Sequence, residues 1–153
     1  MKPKLLISGC LCGNNTKYNG LNNKIEEIDK IKELFELYVI CPEVMGGLSV
    51  PRLPSEISGD FVYMSNKQDV TKNFKNGAQI ALNTAIKHNI QIALLKDGSP
   101  SCGLHQIYDG TFTGSKIGGM GITTRLLIQN NIKVYTEKEI DLLIKENINN
   151  EHI

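Results

Sequence analysis

"IQIALLKDGSPSCG", Ile90 to Gly103, is the stretch on which the reading of the whole chain turns. An apolar run, Ile90 to Leu95, stops at Lys96-Asp97-Gly98, and the turn formers that follow surround a cysteine. A short apolar run closed by turn residues is the pattern of a buried strand. A structural cysteine would sit inside the run. Cys102 lies beyond it, displayed on a glycine-rich loop at the carboxyl end of the strand.

The same grammar recurs on either side. "KLLIS", Lys4 to Ser8, is an apolar run closed by "GCLCGNNTKYNG", and "YVIC", Tyr38 to Cys41, is a second one. Between these runs the period changes to that of a helix. Ile25, Ile28, Ile31, Leu34 and Phe35 mark an amphipathic helix from Lys24 to Glu36. Phe74, Ile80, Ala81, Leu82, Ala85 and Ile86 mark another, capped by Asp69 and ending near Asn89. A helix from about Ile122 to Asn130, the strand "IKVYT" and a helix from Glu137 to about Asn147 follow, and Glu151 to Ile153 are expected to fray. Pro42 to Asp60, "PEVMGGLSVPRLPSEISGD", has no steady period and reads as a long ordered loop, a kind that is usually functional inside a compact domain.

Strands alternating with helices predict a parallel sheet, because each crossover returns the chain to the same end of the sheet. The expected fold is a three-layer, Rossmann-like α/β domain with a mainly parallel sheet, formed by residues 1–153 as one domain. The 153-residue length suits one core, and the formal net charge of +1 excludes a general electrostatic grip on nucleic acid or on acidic membranes. No window carries the roughly eighteen apolar residues of a membrane span, and the first ten residues are too short in apolar content for a secretory signal. The expected compartment is the cytoplasm. Thiols there stay reduced, so Cys10, Cys12, Cys41 and Cys102 read as metal-binding or catalytic thiols in preference to disulfides.

In an open parallel sheet, ligands bind in the crevice outside the carboxyl ends of the strands. Cys10 follows the first strand, Cys41 ends the second and Cys102 follows the third, so the topology expects these three thiols to converge. Each alone reads as a small buried hydrophobe at about one chance in four; three at equivalent strand ends point to a common ligand. Cys12 is expected to pack elsewhere. Thiolates suit zinc or an iron–sulfur cluster, and the absence of a C-x-x-C pair removes the usual structural-zinc spacing. Glu43 can reach the same crevice as an acid or base. Ser8, Ser99 and Ser101 flank the cysteines as donors to sulfur or substrate, although serine beside glycine is commonly a turn residue. His105 is a possible fourth ligand, against the commoner reading of a surface histidine. Arg52 can pair with an anionic or carbonyl group, against that of an exposed arginine. "GSKIGGMG" lacks the G-K-[ST] ending of a phosphate loop.

Taken together, "SGCLCGNNTKYNG", "CPEVMGGLSVPRLPSEI", "DVTKNFKNGA", "LLKDGSPSCG" and "IYDGTFTG" resemble the domain-of-unknown-function 523 family from about Lys4 to Glu137. Some members of that family are thiouracil desulfidases, which use a 4Fe-4S cluster on three cysteines. The resemblance implies Cys10, Cys41 and Cys102 as cluster ligands, Glu43 with Ser101 or Ser99 as catalytic groups, and a small thiolated pyrimidine or similar thiocarbonyl compound as substrate. Two positions depart from the family pattern: Cys12 stands where leucine is usual, and Lys17-Tyr18-Asn19-Gly20 replaces R-Y-D-G. The alternative from another class is a noncatalytic zinc-, cluster- or sulfur-binding module.

Overall fold

The computed structural model describes residues 2–148. The expected fraying of Glu151 to Ile153 lies outside the described residues. Four strands form the central sheet: β1 (Lys4–Ser8), β2 (Glu36–Ile40), β5 (Ile92–Leu95) and β8 (Lys133–Thr136), in the order β2-β1-β5-β8 and all parallel. Alternate residues of each strand point to opposite faces. Leu6, Ala93 and Leu95 therefore pack against α3 (Thr71–His88) and α4 (Ile122–Gln129), whereas Leu5, Ile7 and Leu94 pack against α1 (Ile28–Leu34) and α5 (Ile140–Asn147). The result is the three-layer, Rossmann-like α/β arrangement that the alternating pattern predicts.

Chain order fixes where a ligand can sit. The connection from β1 runs through α1 to one neighbour, β2, while the connection from β5 runs through α4 to the other side, β8. Adjacent strands whose connections diverge leave a crevice at their carboxyl ends. That switch point falls between β1 and β5, the strands that precede Cys10 and Cys102.

Three expectations are corrected. The first helix begins at Ile28 instead of Lys24, because the segment before it bonds elsewhere: the Asn23 and Ile25 N–H groups donate to the Cys10 and Leu11 carbonyls. The stretch from Pro42 to Asp60 contains a short helix, α2 (Pro42–Met45), and a strand, β3 (Ser55–Ser58), which pairs antiparallel with β4 (Phe61–Met64). The glycine-rich segment after Cys102 contains a second hairpin, β6 (Gln106–Tyr108) with β7 (Lys116–Gly118). Ile57, Val62, Met64 and Ile107 from these hairpins meet Val70 and Phe74 in a separate apolar cluster beside the main core. Both hairpins thereby flank the crevice.

Candidate active site

The three loops leaving β1, β2 and β5 surround a cavity of about 430 Å³, a volume suited to a small heterocycle. Cys10, Cys41 and Cys102 all line it, as do Glu43, Ser99 and Ser101. All three strand-end thiols thus border one space. Cys10 stands in the one-turn 3-10 segment Gly9–Cys12, Cys41 immediately precedes α2, and Cys102 lies in the loop that Asp97 organises.

That organisation rests on one oxygen. Asp97 is buried, and its Oδ1 accepts the N–H groups of Gly98, Leu104, His105 and Gln106 at 2.9–3.3 Å. Burial pushes this carboxyl upward, but the four donors outweigh it and hold it below the usual aspartate value. Glycine is required at the tightest crossing: a Cβ on Gly103 would stand 2.7 Å from the Gln106 carbonyl oxygen and 2.8 Å from that of Ser99. Asp97 was not singled out in the sequence, since nothing local shows that its carboxylate collects donors up to nine residues away.

Within the loop, hydroxyl protons run in a fixed direction. Ser99 Oγ accepts the N–H groups of Ser101 and Cys102, both at 3.1 Å, which occupies its lone pairs. Its own proton is then directed to Ser101 Oγ at 2.8 Å, and Ser101 donates to Glu43 Oε2 at 2.9 Å. The other Glu43 oxygen, Oε1, accepts from Arg52 Nε at 3.2 Å and from its terminal nitrogen at 3.1 Å. Arg52 is not an exposed arginine: its side chain is 4% exposed, and it also donates to the Thr16 carbonyl at 3.0 Å. Its Nη1 donates to the Ser49 carbonyl at 3.1 Å, so all three guanidinium nitrogens are engaged and the ion pair fixes the carboxylate in orientation.

The sulfurs lie among polar donors. Ser8 Oγ is 3.5 Å from Cys102 Sγ and Ser101 Oγ is 3.6 Å from it; because the single Ser101 proton serves Glu43, Ser8 is the hydroxyl available to that sulfur. Asn23 Nδ2 donates to Cys10 Sγ at 3.4 Å. Burial pushes the Cys102 thiol up to about 12 against the hydrogen bonds of Ser8 and Ser101. Burial also raises Cys10, with Asn23 opposing it and the Cys41 sulfur adding to it. Such thiols ionise when a metal replaces the proton.

Three soft sulfur donors, of which Cys10 and Cys102 accept a hydrogen bond and Cys41 faces the Thr16 carbonyl at 3.9 Å, suit an iron–sulfur cluster by donor chemistry. Among the described residues no three His, Cys, Asp or Glu side chains converge as one metal ion demands, so the zinc alternative has no support. His105 is not brought to the site; its side chain is exposed and pairs with Glu139 at 3.2 Å. Cys12 is partly buried against the core face that includes Leu11, Ile28 and Ile31, and does not line the cavity. Lys96, Glu56 and Tyr108 line the cavity without having been singled out in the sequence. Lys96 pairs with Glu137 at 2.9 Å, a contact across 41 residues that no local pattern announces. Among the described residues no helix is long and apolar enough to cross a membrane.

The family model of 2-thiouracil desulfurase matches residues 5–139. The protein YbbK of Bacillus subtilis (strain 168) is 37% identical over 147 residues, which cover 90% of this chain and 97% of that protein. Among solved structures, a 4Fe-4S-dependent thiouracil desulfidase, TudS, superposes with a TM-score of 0.91 at 39% identity, covering 95% of this chain and 97% of its own.

Proposed function

The chain belongs to the 2-thiouracil desulfurase family and is a desulfidase, and on that premise we propose that it removes sulfur from a thiolated pyrimidine or a similar small thiocarbonyl compound, with a 4Fe-4S cluster held by Cys10, Cys41 and Cys102. The observation that carries this reading is the shared cavity: three thiols on three loops, with the Ser99–Ser101–Glu43 chain directed into the same space. The family assignment sets aside the noncatalytic carrier.

Exchanging a thiocarbonyl for a carbonyl consumes water and releases hydrogen sulfide. Two protons pass from water towards sulfur, and no electron is gained or lost. When bound, the cluster supplies a soft Lewis-acidic iron, which three cysteine ligands leave open to sulfur. The protein's part is positioning and proton movement. Arg52 holds Glu43 Oε1, while Oε2 accepts the Ser101 hydroxyl at 2.9 Å and has Ser99 Oγ at 3.5 Å, so a water in the cavity would approach Oε2 beside these two hydroxyls. Glu43 accepts a proton from that water at Oε2 while Ser101 keeps the carboxylate aligned. Ser99 fixes the direction of the Ser101 proton, so Ser101 is held as a donor to Glu43. Walls formed by the loops limit water to what the cavity admits.

The test uses anaerobically reconstituted protein. Replacing Cys10, Cys41 or Cys102 by alanine is expected to abolish iron, acid-labile sulfide and turnover together. Glu43→Gln preserves the cluster and its visible absorption and lowers turnover about 100-fold to 10,000-fold, the range of general acid–base catalysis. An active, cluster-free Cys102→Ala protein overturns the reading, and a fully active Glu43→Gln protein removes Glu43 from the mechanism.

A further inference from the structure

A second carboxylate faces the same cavity. Glu56, on β3, is 8% exposed, and its two oxygens are in different situations. Oε1 accepts the N–H groups of Gly110 at 3.0 Å and Phe112 at 3.2 Å, which fastens the turn between β6 and β7 to β3. Oε2 has no donor among the described residues and is the oxygen left to face the cavity. The other acids here are better compensated: Glu43 has Arg52, and Asp97 has four backbone N–H groups. No cation among the described residues lies within ion-pair distance of Glu56. Oε2 is not among the fully buried unpartnered atoms of the described residues, so water reaches it from the cavity, and a ligand that supplies an N–H or O–H can take the place of that water.

The surroundings narrow the donor. Tyr108, on β6, and Tyr18 line the cavity, and Lys116 Nζ lies 5.2 Å from the centre of the Tyr108 ring. Aromatic walls favour a flat ring over a branched alcohol. Resting on the desulfidase reading, we infer that Glu56 is a specificity-determining residue: Oε2 accepts a hydrogen bond from a ring N–H of the substrate. The enzyme thereby selects cyclic thioamides that carry a proton on that nitrogen and discriminates against the same ring alkylated there. Ionised carboxylate is an acceptor only, so the selection has a sign. A ring nitrogen with a bare lone pair at that point is repelled as well.

Glu56→Gln separates this role from the fastening of the turn. The amide oxygen stays on the Gly110 and Phe112 N–H groups, and an NH2 group replaces the free acceptor. The holoenzyme and its Glu56→Gln variant are titrated anaerobically with uracil, 1-methyluracil and 3-methyluracil, ring analogues that have no sulfur to lose. Uracil is expected to bind about 10-fold to 100-fold more weakly to the variant, the loss expected for a hydrogen bond to a charged group. One of the two methyl compounds binds wild type and variant alike within about twofold, because its N–H toward Glu56 is gone. Amide hydrogen exchange at Gly110 and Phe112 stays protected in the variant. Equal weakening of all three ligands, unchanged uracil binding, or no binding of uracil to the wild type overturns the assignment. Failure of the desulfidase reading looks different: thiouracil is then not turned over, although the methyl-dependent effect of Glu56→Gln on binding persists.

Discussion

Removing the Asp97 carboxylate tests whether the Cys102 loop is built on a single acceptor. Asp97→Ala leaves four backbone N–H groups, those of Gly98, Leu104, His105 and Gln106, without their partner. A hydrogen bond to a charged group is worth about 1.5–3 kcal/mol, but one oxygen shared among four donors does not yield four times that. The better guide is the removal of one partner from a buried charged network, about 3–5 kcal/mol. At about 2–4 °C per kcal/mol for a domain of this size, the melting temperature falls by about 6–20 °C. Asp97→Asn keeps an oxygen and loses the charge, at a cost of about 1–2 kcal/mol. The pH dependence carries a sign. The folded carboxyl titrates below its unfolded value of about 3.9, so its contribution is complete above that value and disappears as pH falls through the lower folded value. Urea midpoints for wild type and Asp97→Asn should therefore differ by a constant amount from neutral pH down to about 5 and converge below about 4. A loss under about 1 kcal/mol for Asp97→Ala, or a gap that persists after the carboxyl is protonated, refutes the single-acceptor account.

Other expectations follow from close packing and burial. A Cβ on Gly77 would overlap the Pro42 carbonyl, so Gly77→Ala displaces α2 from α3; a loss of about 1–3 kcal/mol in denaturant titration and reduced cluster content are expected. Ile86→Ala, on the exposed side of α3, should stay within about 0.5 kcal/mol of wild type and serves as its control. In cluster-free protein Cys102 is buried with its thiol held at about 12, so iodoacetamide at pH 8 should leave it unmodified, as peptide mass mapping would show, until denaturant opens the loop.

The central sheet was legible because β1 and β5 are apolar runs whose burial is written into composition, and the helical stripes between the strands impose the crossovers. β2 was expected to be buried as well, but it is an edge strand in which only Ile40 is buried and Val39 is exposed. The hairpins were not legible. β3 reads "SEIS", β6 "QIY" and β7 "KIG", three or four residues whose pairing depends on a partner strand. Every residue of β7 is exposed, so it carries no hydrophobic signal at all. For the site, the strand-end rule brought Cys10, Cys41 and Cys102 to one cavity. For Arg52 the sequence left an anionic or carbonyl partner open beside the commoner exposed arginine, because its partner stands nine residues earlier in a segment without steady period, and only the folded-back loop places it on Glu43. Asp97 and Glu56 escaped for a related reason. Both act by accepting backbone N–H groups, and such donors leave no trace in side-chain identity.

The polar contacts explain how three loops that share no secondary structure hold three thiols about one space. Arg52 ties the loop after β2 to the loop after β1 through the Thr16 carbonyl. Glu43 ties the loop after β2 to the loop after β5 through Ser101. Ser8, at the end of β1, closes the third side: it accepts the Lys96 N–H at 3.2 Å and lies 3.5 Å from Cys102 Sγ. Each pair of loops is therefore joined by a hydrogen bond that involves no cysteine backbone. A triangle closed in this way orders the thiols before any cofactor arrives, which reduces the conformational entropy lost on binding. It also separates two roles that share one neighbourhood. In the proposed site the cysteines would be the soft ligands, Arg52 and Ser8 tie together the loops that carry them, and Glu43 belongs to both the frame and the proton chain, where glutamine keeps the frame's hydrogen bonds and loses the base. On this geometry, loosening the frame at Arg52 or Ser8 lowers cluster retention with all three thiols intact, whereas Ser99→Ala, which also frees the Ser101 and Cys102 N–H groups, lowers turnover and cluster retention together.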